Sequence, residues 1–151
     1  MGRTTALREA IKRDFVPVLR DKGFVLEKQT ALIYRFRKID SDGVFGCSVQ
    51  WEKYGSPRFI LNFAKRGPEG LIASGRLAPS KGRWTEGWFR QDRPWLESFF
   101  TFSKVYPAEQ VIAQLIALFP EVEEFWKSGT IGPHCCPSRD LGRACSLDRV
   151  P

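Results

Sequence analysis

Three segments of this chain alternate in polarity with a period of two, and only tight turns separate them. That pattern limits the fold more than any other feature. In 31–39, "ALIYRFRKI", Leu32, Tyr34 and Phe36 alternate with Ile33, Arg35 and Arg37. In 44–54, "VFGCSVQWEKY", Phe45, Cys47, Val49 and Trp51 oppose Gly46, Ser48, Gln50 and Glu52. In 58–66, "RFILNFAKR", Phe59, Leu61 and Phe63 oppose Ile60, Asn62 and Ala64. "SDG" at 41–43 and "GSP" at 55–57 are turn sequences. Short alternating strands joined this tightly form an antiparallel meander with one greasy face and one wet face.

Helical periodicity flanks the meander. In "TTALREAIKRDFVPVLRDKGF", Leu7, Ile11, Phe15 and Val18-Leu19 recur at three and four residues and draw one apolar stripe. A hydroxyl of Thr4 or Thr5 is expected to cap this helix, Pro17 to kink or interrupt it, and Gly23 to end it. After Pro107, Val111, Ile112, Leu115, Ile116 and Phe119 give a second apolar face, which Pro120 is expected to break. The predicted fold is α+β: an antiparallel sheet of four to six strands, with the N-terminal and C-terminal helices packed on one face. The domain spans 1–127, and 128–151, which lack periodicity, read as a flexible tail. Residues 67–82, rich in Gly, Pro and Ser, read as a long loop with at most a short strand near 71–73.

At 151 residues the chain is of a size for one domain, able to bury roughly two thirds of its unfolded surface. No apolar run is long enough to span a bilayer, and the charged N-terminus is not a secretory signal. A cytoplasmic location and free thiols are therefore expected. The formal net charge is +7. Residues 1–40 hold ten Lys/Arg against five Asp/Glu, so most of the excess lies in the first segments.

Chemistry has little to work with. His134, Cys135, Cys136 and Cys145 are the available metal ligands, but adjacent cysteines with the next thiol nine positions on do not match tetrahedral zinc spacing, and no metal is expected. Cys47 sits on an apolar face, far in sequence from the lone histidine that a thiol nucleophile would need. Exposed carboxylates such as Glu52 and Glu86 are what alternation supplies in any such sheet. Phosphate-binding fingerprints are lacking, and no cofactor is implied.

The stretch "GRWTEGWFRQDRPW" at 82–95 packs three tryptophans and three arginines into fourteen positions. Trp84 and Trp88 share a face with Arg90, but Glu86 and Asp92 lie among them. A buried aromatic edge is a commoner use of tryptophan than a stacking surface.

The order of a basic opening helix, "PVLRDKGF", "LIYRFRK", "VQW", "RFILNF", a late "GRW…W" and an apolar closing helix resembles a bacterial family, domain of unknown function forty-three-oh-four. The resemblance covers about residues 5–126. It implies a single α+β domain in the bacterial cytoplasm and transfers no activity or catalytic residues.

The sequence thus reads as a non-enzymatic binding or interaction domain using the open sheet face and the 67–95 region. Its candidate surface is Arg35, Arg37, Ser48, Gln50, Asn62, Trp84, Trp88 and Arg90, with a protein as the first choice of partner. Two alternatives stand beside it. One is weak nucleic-acid binding through Arg35, Arg37, Lys38 and the Trp/Arg stretch. The other is a small enzyme or ligand-binding protein with a site between the sheet and the 67–82 loop. Inhibition of a basic nuclease fits poorly, because such an inhibitor is expected to be acidic.

Overall fold

The computed structural model describes residues 2–79, 87–92 and 106–137, and its architecture is α+β. Helix α1 (Thr5–Ala10), a π-helical turn (Ile11–Phe15) and α2 (Val16–Asp21) run on without a gap. The strands are β1 (Val25–Gln29), β2 (Ile33–Asp40), β3 (Gly43–Trp51), β4 (Arg58–Gly67), β5 (Gly70–Leu77) and β6 (Phe89–Arg90). Helix α3 (Ala108–Ser128) and strand β7 (Cys135–Pro137) follow. The sheet is antiparallel in the order β1-β2-β3-β4-β5-β7, and β6 pairs with the first residues of β4. Seven strands exceed the four to six expected, because β6 and β7 are too short to show a period.

Register explains the core. Across β2, β3 and β4, Tyr34 stands opposite Val49 and Val49 opposite Leu61, while Phe36 stands opposite Cys47 and Cys47 opposite Phe63. All six are buried. Both helical segments cover this one face: Leu7, Ile11, Phe15 and Leu19 join Val111, Leu115, Phe119, Val122 and Trp126 in a single apolar cluster. Phe15 ties the three layers together. Its ring meets Phe36 of the sheet edge-on at 6.4 Å and Phe119 of α3 at 5.7 Å. Such aromatic pairs contribute about 0.5–1.5 kcal/mol beyond the area they bury.

The two helical prolines act differently. Before Pro17 the α-helical bonding is interrupted, as expected, but by a π-helical turn rather than a break, and the Val16 N–H reaches back five residues to the Ile11 carbonyl. The wider turn makes room for the proline ring, which would otherwise meet the Arg13 carbonyl. Helix α3 runs unbroken through Pro120 on its exposed side. An interior proline costs about 3 kcal/mol. Ending the helix there would give up the burial of Val122 and Trp126, roughly 1.5–3 kcal/mol each, so continuation wins. The expected hydroxyl cap is also replaced: Thr4 makes no side-chain cap, and its Oγ1 accepts from Arg8 Nε at 2.9 Å.

The segment after 128 is not a free tail as far as it is described. Glu121 of α3 accepts the His134 backbone N–H at 2.8 Å on Oε1 and meets His134 Nδ1 at 2.6 Å through Oε2. This clip delivers Cys135–Pro137 to the edge of β5 as β7, with Cys135 and Cys136 buried. The close approach explains Gly75. A Cβ there would lie 2.7 Å from the Cys136 carbonyl oxygen and 2.8 Å from the Phe63 ring. Cys47 and Cys135 keep their thiols, as expected, but Cys136 is disulfide-bonded to a partner outside the described residues. The long loop expected over 67–82 is likewise corrected, since 70–77 form the eight-residue strand β5.

Candidate functional site

The face turned away from the helices carries the site. Pairing places Arg35, Ser48, Asn62 and Arg76 in one row across β2 to β5. The next row is Arg37, Gly46, Ala64 and Ser74, and the one after it is Ile39, Val44, Arg66 and Leu71. The middle row is small from β3 onward, so taller side chains stand on both sides of a low floor. The result is a transverse trough of about 410 Å³ with Gly46 and Ala64 as its floor. Arg35, Ser48 and Asn62 form one wall, Val44 and Arg66 the other, and Arg37 and Glu27 close the β2 end.

The electrostatics are lopsided. Arg37 Nη1 pairs with Glu27 Oε1 at 3.3 Å. Arg35 and Arg66 are exposed and have no ion pair or side-chain hydrogen bond among the described residues. Asn62 donates to Gln50 Oε1 at 3.1 Å and keeps its own carbonyl oxygen available. Beyond the trough, Lys28 lies opposite Arg35, and Arg58 lies opposite Arg90. Among the described residues, the acidic groups that pair with arginines on this face are Glu27 and Asp92.

The trough brings together four of the eight residues expected on the candidate surface. Arg35, Arg37, Ser48 and Asn62 line the trough, and Gln50 braces Asn62 from beside it. Trp88 and Arg90 share the face but stand farther along β4, outside the trough. The Arg58 guanidinium sits 5.0 Å over the Trp88 ring, while Arg90 Nη2 binds Asp92 Oδ2 at 2.9 Å. These contacts offset the like charges that pairing sets opposite each other. Trp84 lies outside the described residues. Lys38 points to the other side, its Nζ 5.9 Å from the Phe24 ring centre and 4.0 Å from Asp40.

Comparison with known proteins gives no match: no family model, curated protein or solved structure aligns with this chain.

Other chemistry finds weaker footing. Burial drives the Cys47 thiol far above its ordinary pKa, so it stays protonated and unreactive. Glu52, expected on the solvent side, is buried and holds a turn, its two oxygens accepting the Tyr54 and Ser56 N–H groups at 2.9 Å each. Burial opposes its charge, but those amides, the Ser56 hydroxyl and Arg58 together hold its pKa below the usual glutamate value. A carboxylate so engaged is a structural cap. Among the described residues no three His, Cys, Asp or Glu side chains converge, and no helix is long and apolar enough to cross a membrane.

A second depression of about 370 Å³ lies between the β2–β3 turn and the end of α3, walled by Phe24, Phe45 and Trp126. Its charges neutralise one another: Lys38, Lys65 and Lys127 face Asp40, Asp42 and Glu123. Lys65 Nζ donates to the Trp126 carbonyl at 3.3 Å, and Lys22 binds Glu123 at 2.7 Å. The trough is the site with unspent charge.

Sequence reasoning missed Arg66, Glu27 and the small floor. The signal was present in the turns: aligning 31–39, 44–54 and 58–66 about "SDG" and "GSP" brings Gly46 beside Ala64 and Arg66 beside Val44.

Proposed function

We propose that this chain is a non-enzymatic interaction domain that docks an acidic protein partner on its open sheet face. The observation that supports this most is Arg35 and Arg66 standing on opposite walls of one trough, with no ion pair or side-chain hydrogen bond of their own among the described residues. Arginine forks suit carboxylates, which accept them in a bidentate manner. A complementary acidic surface gains from this field in encounter rate and in orientation. The hairpin of β4 and β5 supplies Arg66 and Arg76, so part of the 67–95 region contributes.

Nucleic acid is the second reading, favoured by the same arginines. Single-strand binders place aromatic rings beside the cations as stacking platforms. Here Trp51 and Trp126 belong to the core, Trp88 is covered by Arg58, and no aromatic side chain on the open face lines the trough among the described residues. Capture from nuclease-treated native lysate separates the two readings. Retention of acidic proteins by the parent chain, lost in the R35E/R66E variant, is the expected result. Capture that vanishes on nuclease treatment would hand the surface to nucleic acid.

A further inference from the structure

Gly46 has no internal reason to be glycine. It sits in the middle of β3 in regular register, opposite Arg37 on one side and Ala64 on the other, with no bulge at that point. Its φ lies outside the left-handed region. A Cβ built there would meet only the Phe36 carbonyl oxygen, at an ordinary 3.7 Å. Gly75, in the same sheet, is hemmed in by Cys136, Pro137 and Phe63. Glycine weakens a strand interior and is retained where a bulge, a bend or a close approach calls for it. Bulge and bend are absent at Gly46, and among the described residues only the Phe36 carbonyl, besides the chain neighbours, comes within 4 Å of a Cβ placed there.

We propose that the trough receives an extended acidic segment of the partner. The segment crosses the strands over Gly46 and Ala64, with carboxylates directed to Arg35 on one wall and Arg66 on the other. This inference rests on the proposed function and specifies how the partner is held. Dimensions support an extended chain over a helix. Asn62 and Arg66 are four residues apart on β4, about 13 Å between walls at ~3.3 Å per residue. That separation is measured between backbones, and the Arg35, Asn62 and Arg66 side chains that line the trough take up part of it, which leaves little room for a helix of ~10–12 Å diameter. The absence of a side chain at Gly46 lets the segment settle against the strand, where Ser48 and the Asn62 carbonyl oxygen offer neutral hydrogen bonds. Charge complementarity selects acidic side chains, since among the described residues Glu27 is the only carboxylate in the trough lining and Arg37 already neutralises it.

The test is fluorescence anisotropy with a short labelled peptide of alternating Glu and Ala, beside a labelled oligothymidylate of equal charge. The full chain, G46V and R35E/R66E are compared, each with its thermal melt. In the expected result, G46V binds the peptide at least about tenfold more weakly, with its melting temperature unchanged or raised. R35E/R66E loses the peptide altogether. Peptide binding that G46V leaves intact but R35E/R66E abolishes would overturn the trough while leaving the basic face as the docking surface. Tighter binding of the oligothymidylate, weakened by the same variants, would overturn both. If G46V melts lower, G46A serves in its place, adding only the single Cβ for which the structure has room.

Discussion

On the helix-covered face of the sheet, Phe15, Phe36, Phe119 and Trp126 each meet at least one other ring edge-on or tilted, and all are buried. On the opposite face, Arg35, next to Phe36 on β2, and Arg66, on β4 beyond the buried Phe63, have no ion pair or side-chain hydrogen bond among the described residues. Each strand thus presents both kinds of residue, so propensity and pairing cannot account for the difference. One face is completed by the chain itself. The other carries Arg35, Arg37 and Arg66, like charges whose mutual repulsion slightly opposes folding. Under the proposed function, this is the face that an acidic partner would complete.

Substitutions on the two faces should therefore separate stability from binding. The largest effect is expected from F119A, which removes a fully buried ring that contacts Phe15, Phe24 and Trp126. Chemical denaturation should show a loss of about 3–5 kcal/mol; a loss below about 1 kcal/mol would mean that the helices are not anchored through this ring. Next comes R35E/R66E, where affinity for an acidic peptide should fall by more than about a hundredfold while the melting temperature holds steady. A variant that melts early would show the open face to be structural after all.

Glu52 sharpens the contrast from the structural side. Its folded pKa lies below the ordinary glutamate value, so the fold favours its ionised form. That contribution is complete above the unfolded value and is lost as pH falls through the lower, folded one. E52Q should flatten the decline of stability across that acidic window and leave peptide binding at neutral pH unaltered. An identical acid limb in parent and variant would exclude Glu52 as a source. G46A should raise stability by about 0.5–1 kcal/mol, the difference between glycine and alanine in a strand, and a drop would mean that the glycine serves the backbone. Smallest of all, H134A removes one side-chain contact with Glu121 and should chiefly speed amide exchange at Ala78, whose N–H donates to the His134 carbonyl at 2.8 Å. Unchanged exchange there would mean that the backbone contacts alone seat β7.

The meander and its greasy face were legible because alternation over 31–39, 44–54 and 58–66 is strict and the turns leave few ways to pair. β1 escaped notice since all five of its residues are exposed, and an edge strand without a buried face shows no period. Pro120 misled because local rules give way when the buried residues on either side contribute more than one lost hydrogen bond. β7 was invisible for another reason. It depends on Glu121 meeting His134 across thirteen residues, and no local pattern encodes such a contact. For the site, alternation gave the outward-facing residues, but only cross-strand register shows which of them converge. Arg35 and Arg66 become neighbours through a pairing that neither segment contains.

A titration of the isotope-labelled chain with the Glu/Ala peptide, followed by amide chemical shifts, tests the docking face directly. The amides of Gly46, Ser48, Asn62 and Ala64 should move first and furthest, saturating together, while those of α1 and α3 stay in place. Shifts concentrated on the helices, or scattered without a common saturation point, would contradict it.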